Sequence, residues 1–119
     1  MSSGSKTRIL FVDDEPLIAA MLVDWVQELG CVAVGPATSQ GEAHILIQQE
    51  SPDAAILDVS LGSGDSFALA TACREKSVPF AFATGHGRSA LPAEFADAPV
   101  LGKPFDFQAV KELIEQLTT

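Results

Sequence analysis

The sequence predicts an α/β fold, a doubly wound sheet of five parallel strands with helices on both faces. Short apolar runs, typical of strands buried on both faces, alternate with segments whose apolar residues recur at helical spacing. Five such βα units follow one another, and each right-handed crossover must cover one face of the sheet. The length of 119 residues fits one domain.

The first unit pairs an apolar strand at residues 9–12 with a helix that lies between Pro16 and Gly30. Proline favours the first turn of a helix, and glycine favours the position just after its end. The apolar residues that recur at helical spacing in this segment are Ile18, Met21, Leu22, Trp25, Val26 and Leu29.

The second unit begins with a strand at residues 31–34, which we expect Gly35-Pro36 to stop. Ser39 and Glu42 have the spacing of a capping box, so a second helix is expected to begin there. The inward stripe of this helix is Ala43, Leu46 and Ile47.

The third unit has a strand at residues 54–57 that ends at Asp58, a loop at 61–64, and a helix. The apolar stripe of that helix contains Leu69, Ala70 and Cys73. The fourth strand, at 79–83, is rich in aromatic residues, and the segment 85–98 after it contains two glycines and a proline. Any helix in that segment is therefore expected to be short.

The fifth strand is Val100-Leu101, and Asp106 is expected to cap the last helix. The inward residues of this helix are Val110, Leu113, Ile114 and Leu117.

The charge balance argues against two classes of partner. With 7 Lys+Arg and 16 Asp+Glu the net charge is −9, whereas nucleic acids and anionic membranes are bound by clustered basic residues. We therefore expect no nucleic acid and no membrane as partner.

Residues 1–5 are expected to be a disordered leader, with the domain at 6–119. Cys31 and Cys73 lack a CxxC spacing and are expected to be reduced thiols of a cytoplasmic protein.

Reactive side chains stand where four of the predicted strands end. Asp13 and Asp14 follow the first strand, Asp58 the third, Thr84 the fourth and Lys103 the fifth. In a sheet ordered 2-1-3-4-5 these four strands are neighbours, and ligands bind outside the carboxyl ends of such sheets. We therefore expect all five residues to converge on one patch.

Three aspartates in one patch repel one another. Two unit charges ~4 Å apart repel by about 4 kcal/mol at an effective dielectric constant near 20. Lys103 offsets one of the three charges, and Mg²⁺ suits a site with few carboxylates that keeps several waters. The sequence therefore predicts a Mg²⁺ pocket with the Thr84 hydroxyl and the Lys103 ammonium on its rim.

This set of groups suits phosphoryl transfer. A divalent cation and a lysine neutralise the phosphoryl oxygens, a hydroxyl donates a further hydrogen bond, and a carboxylate can be the nucleophile. Asp58 is the predicted nucleophile because it stands alone at the end of the central strand. Asp13 and Asp14 are a pair better suited to holding metal.

The pattern Asp13-Asp14-Glu15, Asp58, Thr84 and Lys103-Pro104 resembles the receiver domain of two-component response regulators. The resemblance runs from about Lys6 to the C-terminus and implies a flavodoxin-like (βα)5 fold. It implies that a histidine kinase or a histidine phosphotransfer protein phosphorylates Asp58, that Thr84 and Lys103 contact the phosphoryl group, and that the Lys103-Pro104 peptide is cis. The implied Mg²⁺ ligands are Asp14, Asp58 and the Ser60 carbonyl, with Asp13 acting through water.

One position departs from the common receiver pattern. Most receivers have Tyr or Phe three residues before the lysine, whereas this chain has Val100 and contains no Tyr. Residues 82–87, with the sequence FATGHG, resemble the FAT GUY subgroup, although His86 stands where that subgroup commonly has an aromatic residue. Several members of the subgroup are single-domain regulators, and some act in general stress-response signalling. We expect the loop after Thr84 to rearrange on phosphorylation in place of an aromatic switch.

The expected function is that of a single-domain response regulator that signals by protein–protein contact with an unidentified downstream partner. It would catalyse only its own phosphorylation and dephosphorylation and so would not be an enzyme in the ordinary sense. The alternatives are a phosphate sink in a phosphorelay and an unphosphorylated receiver-like binding module. By family resemblance, the partner would contact the fourth helix, the fifth strand and the fifth helix.

Two other functions fit the architecture less well. A flavodoxin-like electron carrier needs a phosphate-binding loop after the first strand, where this chain has Asp13-Asp14-Glu15-Pro16, whose three carboxylates would repel phosphate. An aspartate-nucleophile phosphatase needs a second aspartate two residues after the nucleophile, where this chain has Ser60.

Overall fold

The computed structural model describes residues 6–62 and 64–119, so the expected leader at 1–5 lies outside the described residues. Its strands are β1 (Arg8–Val12), β2 (Val32–Ala37), β3 (Ala54–Asp58), β4 (Ser60–Leu61), β5 (Gly64–Asp65), β6 (Phe80–Thr84) and β7 (Val100–Gly102). The order β2-β1-β3-β6-β7 forms a parallel sheet, which confirms the predicted 2-1-3-4-5 arrangement. Leu61 and Gly64, which bound the loop expected at 61–64, pair in a small antiparallel hairpin of β4 and β5. Residue 63 lies outside the described residues.

Helices cover both faces of the sheet, as a doubly wound fold requires. Within the described part of the chain the α-helices are α1 (Pro16–Glu28), α2 (Gln40–Glu50), α3 (Phe67–Glu75) and α4 (Phe107–Thr118). The buried residues of α2 and α3 pack with one side of the strands, and those of α1 and α4 pack with the other. Every residue of β3 and β6 is buried, which explains their continuous apolar sequences.

The two predicted helix caps are confirmed. Ser39 Oγ accepts a hydrogen bond from the Glu42 N–H at 3.2 Å, and Asp106 Oδ1 accepts one from the Ala109 N–H at 2.8 Å. The Glu42 carboxylate returns to the N–H of Thr38 at 3.0 Å. These bonds satisfy N–H groups that a helix start leaves without a partner, and so fix where α2 and α4 begin.

The predicted end of the second strand was wrong, because β2 continues through Gly35-Pro36 to Ala37. Proline is tolerated there because β2 is an edge strand, where a missing N–H need not interrupt the sheet. Gly35 has φ +93°, and a Cβ on it would lie 2.7 Å from the Ala37 nitrogen and 3.2 Å from the Phe11 oxygen. Both the Gly35-Pro36 and the Lys103-Pro104 peptide bonds are cis, the second as expected.

The segment between β6 and β7 contains two 3₁₀ turns, Gly87–Ala90 and Ala93–Phe95, where the fourth βα unit would have its α-helix. This agrees with the expectation of a short helix and follows from the glycines and the proline in the segment. The surface that the family resemblance assigns to a fourth helix therefore consists of these turns. Among the described residues, no helix is both long and apolar enough to span a membrane.

Candidate functional site

The predicted site residues meet in a cavity at the carboxyl ends of the strands. Its volume is about 360 Å³. The residues that line it are Asp14, Glu15, Asp58, Val59, Ser60, Gly62, Thr84, Gly85, His86 and Lys103. Asp13 lies beside the cavity and is 2% exposed. The structure thus brings together residues from the ends of β1, β3, β6 and β7, which are four consecutive strands of the sheet.

Lys103 is the main positive charge of the site. Its Nζ lies 3.1 Å from Asp58 Oδ2 and 3.5 Å from Asp13 Oδ2. A third carboxylate, Glu15 Oε1, lies at 3.3 Å. Burial by itself lowers the pKa of Lys103, but the hydrogen bond to Asp58 and the nearby carboxylates outweigh it and raise that pKa. Lys103 is therefore held as an ammonium among carboxylates.

Asp58 is buried at the end of β3, with 6% exposure. Its Oδ1 accepts a hydrogen bond from the Ser60 N–H at 3.3 Å, and its Oδ2 accepts one from Lys103. Burial raises the pKa of Asp58 above the ordinary carboxyl value, and the bonds from Lys103 and Ser60 counteract part of this rise. The side chain is thus held by one bond to each oxygen and still borders the cavity.

Three aspartates form a compact cluster of oxygen donors. Asp13, Asp14 and Asp58 each offer a carboxylate oxygen, and these oxygens lie within 4.8 Å of one another. Burial raises the pKa of Asp13, partly offset by the Glu15 N–H that Asp13 Oδ1 accepts at 2.8 Å. Three closely spaced carboxylates beside one lysine keep a net negative charge, and carboxylate oxygens are ligands that Mg²⁺ prefers. The residues present therefore fit such an ion.

Thr84 ends β6, directly after Ala83, the residue that pairs with Asp58, and Thr84 is 4% exposed. Its Oγ1 accepts a hydrogen bond from the His86 N–H at 3.0 Å, and its carbonyl accepts one from the Lys103 N–H at 2.9 Å. These bonds tie the end of β6 to the loop that follows it and to the residue that follows β7. The Thr84 hydroxyl borders the same cavity as Asp58.

The sequence-based set of site residues omitted two polar side chains that line the cavity, Glu15 and His86. Glu15 belongs to the acidic run after β1, which places it at the carboxyl edge of the sheet but does not show its contact with Lys103. His86 is recognisable because it lies two residues after Thr84, within the loop that leaves the sheet. Val100, in β7, pairs with Phe82 of β6 and is half-buried. It occupies the position where most receivers have an aromatic residue.

Residues 9–115 match the response regulator receiver domain. The chain belongs to this family. It is 31% identical over 120 residues to the phyllosphere-induced regulator PhyR of Methylorubrum extorquens, covering 98% of this chain and 45% of PhyR. The chain thus spans less than half the length of that relative.

Solved structures support the same assignment. The receiver resembles SdrG of Sphingomonas melonis Fr1 with a TM-score of 0.84 and 39% identity, covering 100% of both chains. The BeF3-activated conformation of SdrG gives a TM-score of 0.83. The receiver domain of Erythrobacter litoralis PhyR gives 0.82 at 28% identity, covering 98% of this chain and 92% of that one. These neighbours agree with the resemblance to the FAT GUY subgroup.

Proposed function

We propose that this receiver is a cytoplasmic response regulator that accepts a phosphoryl group on Asp58 from a phosphohistidine of a histidine kinase or phosphotransfer protein. The observation that carries the proposal is the position of Lys103 Nζ, 3.1 Å from Asp58 Oδ2 within a cluster of three aspartates. Receiver domains as a family receive their phosphate from histidine kinases, and membership of that family supports the choice of donor.

In the proposed step, an oxygen of Asp58 attacks the phosphorus atom in line with the bond to the donor imidazole. The P–O bond forms while the P–N bond breaks, and the electron pair of that bond stays on the imidazole nitrogen. Lys103 stabilises the negative charge on the phosphoryl oxygens, and the Thr84 hydroxyl donates a hydrogen bond to one of them. Asp58, Lys103 and Thr84 all line the same cavity, so the nucleophile and both stabilising groups face one position.

A Mg²⁺ ion would be held by Asp13, Asp14, Asp58 and the Ser60 carbonyl. When bound, it would neutralise charge that develops on the transferred group. The backbone N–H of Ser60 and the ammonium of Lys103 orient Asp58 independently of the ion. The domain is therefore proposed to catalyse its own phosphorylation without turning over a diffusible substrate.

We further propose that the phosphorylated domain signals by contact with another protein. Phosphorylation adds about −1.5 to −2 charges at one point, which must be read through a change in a nearby segment. The net charge of −9 supports a protein partner over nucleic acid or a membrane. Resemblance to the FAT GUY subgroup supports a role in stress-response signalling.

The test is to incubate the protein with acetyl phosphate, with and without Mg²⁺, and to follow phosphorylation by intact mass. We expect wild type to gain one phosphoryl group in a Mg²⁺-dependent reaction and Asp58→Asn to gain none. Asp97→Asn is the matched control, because Asp97 is exposed and does not line the cavity. Labelling of Asp58→Asn at the wild-type rate would overturn the nucleophile, and an unlabelled wild type would favour a binding module that is not phosphorylated.

A further inference from the structure

Glu15 makes a contact that its position in the helix does not explain. It is the N-cap residue of α1, but its side chain caps no N–H group of that helix. Its Oε1 instead accepts a hydrogen bond from Lys103 Nζ at 3.3 Å. The backbone of Glu15 is fixed at the same time, because its N–H donates to Asp13 Oδ1. The carboxylate is thus directed at the lysine of the site.

Carboxylates crowd the ammonium of Lys103. Two of its three N–H donors are hydrogen-bonded, to Asp58 and to Glu15, and Asp13 Oδ2 lies 3.5 Å from Nζ as an ion-pair partner. A phosphoryl oxygen that approaches Lys103 therefore competes with these carboxylates for its N–H groups and its charge. The side chains of Asp13 and Asp58 are 3% and 8% exposed, whereas that of Glu15 is 58% exposed. Glu15 is the partner that water can replace at least cost.

We propose that Glu15 is a positioning residue that competes with the phosphoryl group for Lys103 and so lowers the affinity of the site for that group. The inference rests on the proposed phosphorylation of Asp58. Lys103 keeps Asp13 and Asp58 when Glu15 leaves, so Glu15 is not needed to hold the ammonium over the cavity. Its negative charge at the cavity mouth also opposes the approach of an anionic donor.

The size of the effect follows from the exposure of the pair. Exposed ion pairs shift an equilibrium by about two- to fivefold, and salt screens them. Glu15→Gln is therefore expected to bind a phosphoryl analogue about two- to fivefold more tightly than wild type. The difference should shrink as the KCl concentration rises, which a purely structural role of Glu15 would not produce.

The test is a titration of beryllofluoride into the full chain with Mg²⁺, followed by the backbone amide NMR signals of Thr84 and Gly85. Four proteins are compared: wild type, Glu15→Gln, Glu15→Asp and Glu28→Gln. Aspartate keeps the charge but is one methylene shorter, so Glu15→Asp should lie between wild type and Glu15→Gln. Glu28 is exposed at the other end of α1, and Glu28→Gln should bind like wild type.

The outcomes separate this inference from the function on which it rests. If wild type takes up no beryllofluoride, the proposed phosphorylation fails, and the inference fails with it. If wild type takes it up and Glu15→Gln has the same affinity, the inference alone is overturned. If Glu15→Asp matches wild type while Glu15→Gln binds more tightly, direct competition for Lys103 is overturned, because charge alone then accounts for the effect.

Discussion

The two sides of the site are built differently. The acid side, which we define as Asp13, Asp14 and Asp58, is carried by β1 and β3, whose residues pair in regular parallel register. The threonine side, which we define as residues 84–98, leaves β6 and continues as two 3₁₀ turns. Groups that need fixed geometry for chemistry thus stand at the ends of regular strands, and a segment with few regular backbone bonds lies beside them.

The largest expected effect concerns what holds the threonine side in place. Phe95 is 1% exposed, and its ring centroid lies 5.4 Å from that of Phe82 and 5.9 Å from those of Phe67 and Phe80. Phe95→Ala is expected to lower the free energy of unfolding by about 3–5 kcal/mol, because it leaves a cavity in this cluster. Urea denaturation followed by circular dichroism measures the change.

Phe105→Ala is the matched control, because Phe105 is a half-buried phenylalanine in an edge contact with Trp25. It should cost clearly less than Phe95→Ala. If both variants lose the same free energy of unfolding, Phe95 is not a stronger anchor than Phe105. The proposed role of Phe95 in holding the threonine side would then be wrong.

The next effect concerns the acid side. Lys103→Ala removes the ammonium that stabilises phosphoryl oxygens, and loss of one such preorganised donor costs about 100-fold in rate. We expect phosphorylation by acetyl phosphate to slow by about that factor, as measured by intact-mass time courses. Lys76→Ala, which changes an exposed lysine at the end of α3, should react like wild type. An unchanged rate in Lys103→Ala would show that the acid side works without its lysine.

The smallest effect is a pH dependence of stability. Burial raises the pKa of Asp58 and of Asp13, so the folded protein holds protons that the unfolded chain releases as the pH rises from about 4. The free energy of unfolding of the Mg²⁺-free protein should therefore fall across this range as both carboxyls ionise. Asp58→Asn should show less of this fall. Thermal melts from about pH 4 to 7 measure it, and identical pH slopes for the two proteins would contradict it.

The acid side could be predicted from the sequence more fully than the threonine side. Asp13, Asp14 and Asp58 follow apolar runs buried on both faces, and parallel strands bring their ends to one edge, so periodicity and topology suffice. Between β6 and β7 the glycines and Pro92 indicate only that a long helix is disfavoured. Two of the bonds that hold this segment run from Arg88 to the carbonyls of Ala96 and Ala98, and no local pattern shows them.

Two further features depend on contacts between distant parts of the chain. β2 passes through Gly35-Pro36 because the edge of a sheet tolerates proline, and the edge position becomes evident only once the strands are ordered. Glu15 reaches Lys103 across 88 positions of sequence, so its acidic neighbours alone could not reveal the contact. Rearrangement of the loop after Thr84 on phosphorylation stays a prediction.

The backbone bond from the Lys103 N–H to the Thr84 carbonyl has a consequence for how a signal could cross the domain. It links the main chains of the two residues proposed to bind the phosphoryl group, so a displacement of one is transmitted to the other through this bond. The bond joins backbone atoms only and does not depend on the side chain at position 100. A valine there can therefore coexist with coupled movement of both strand ends.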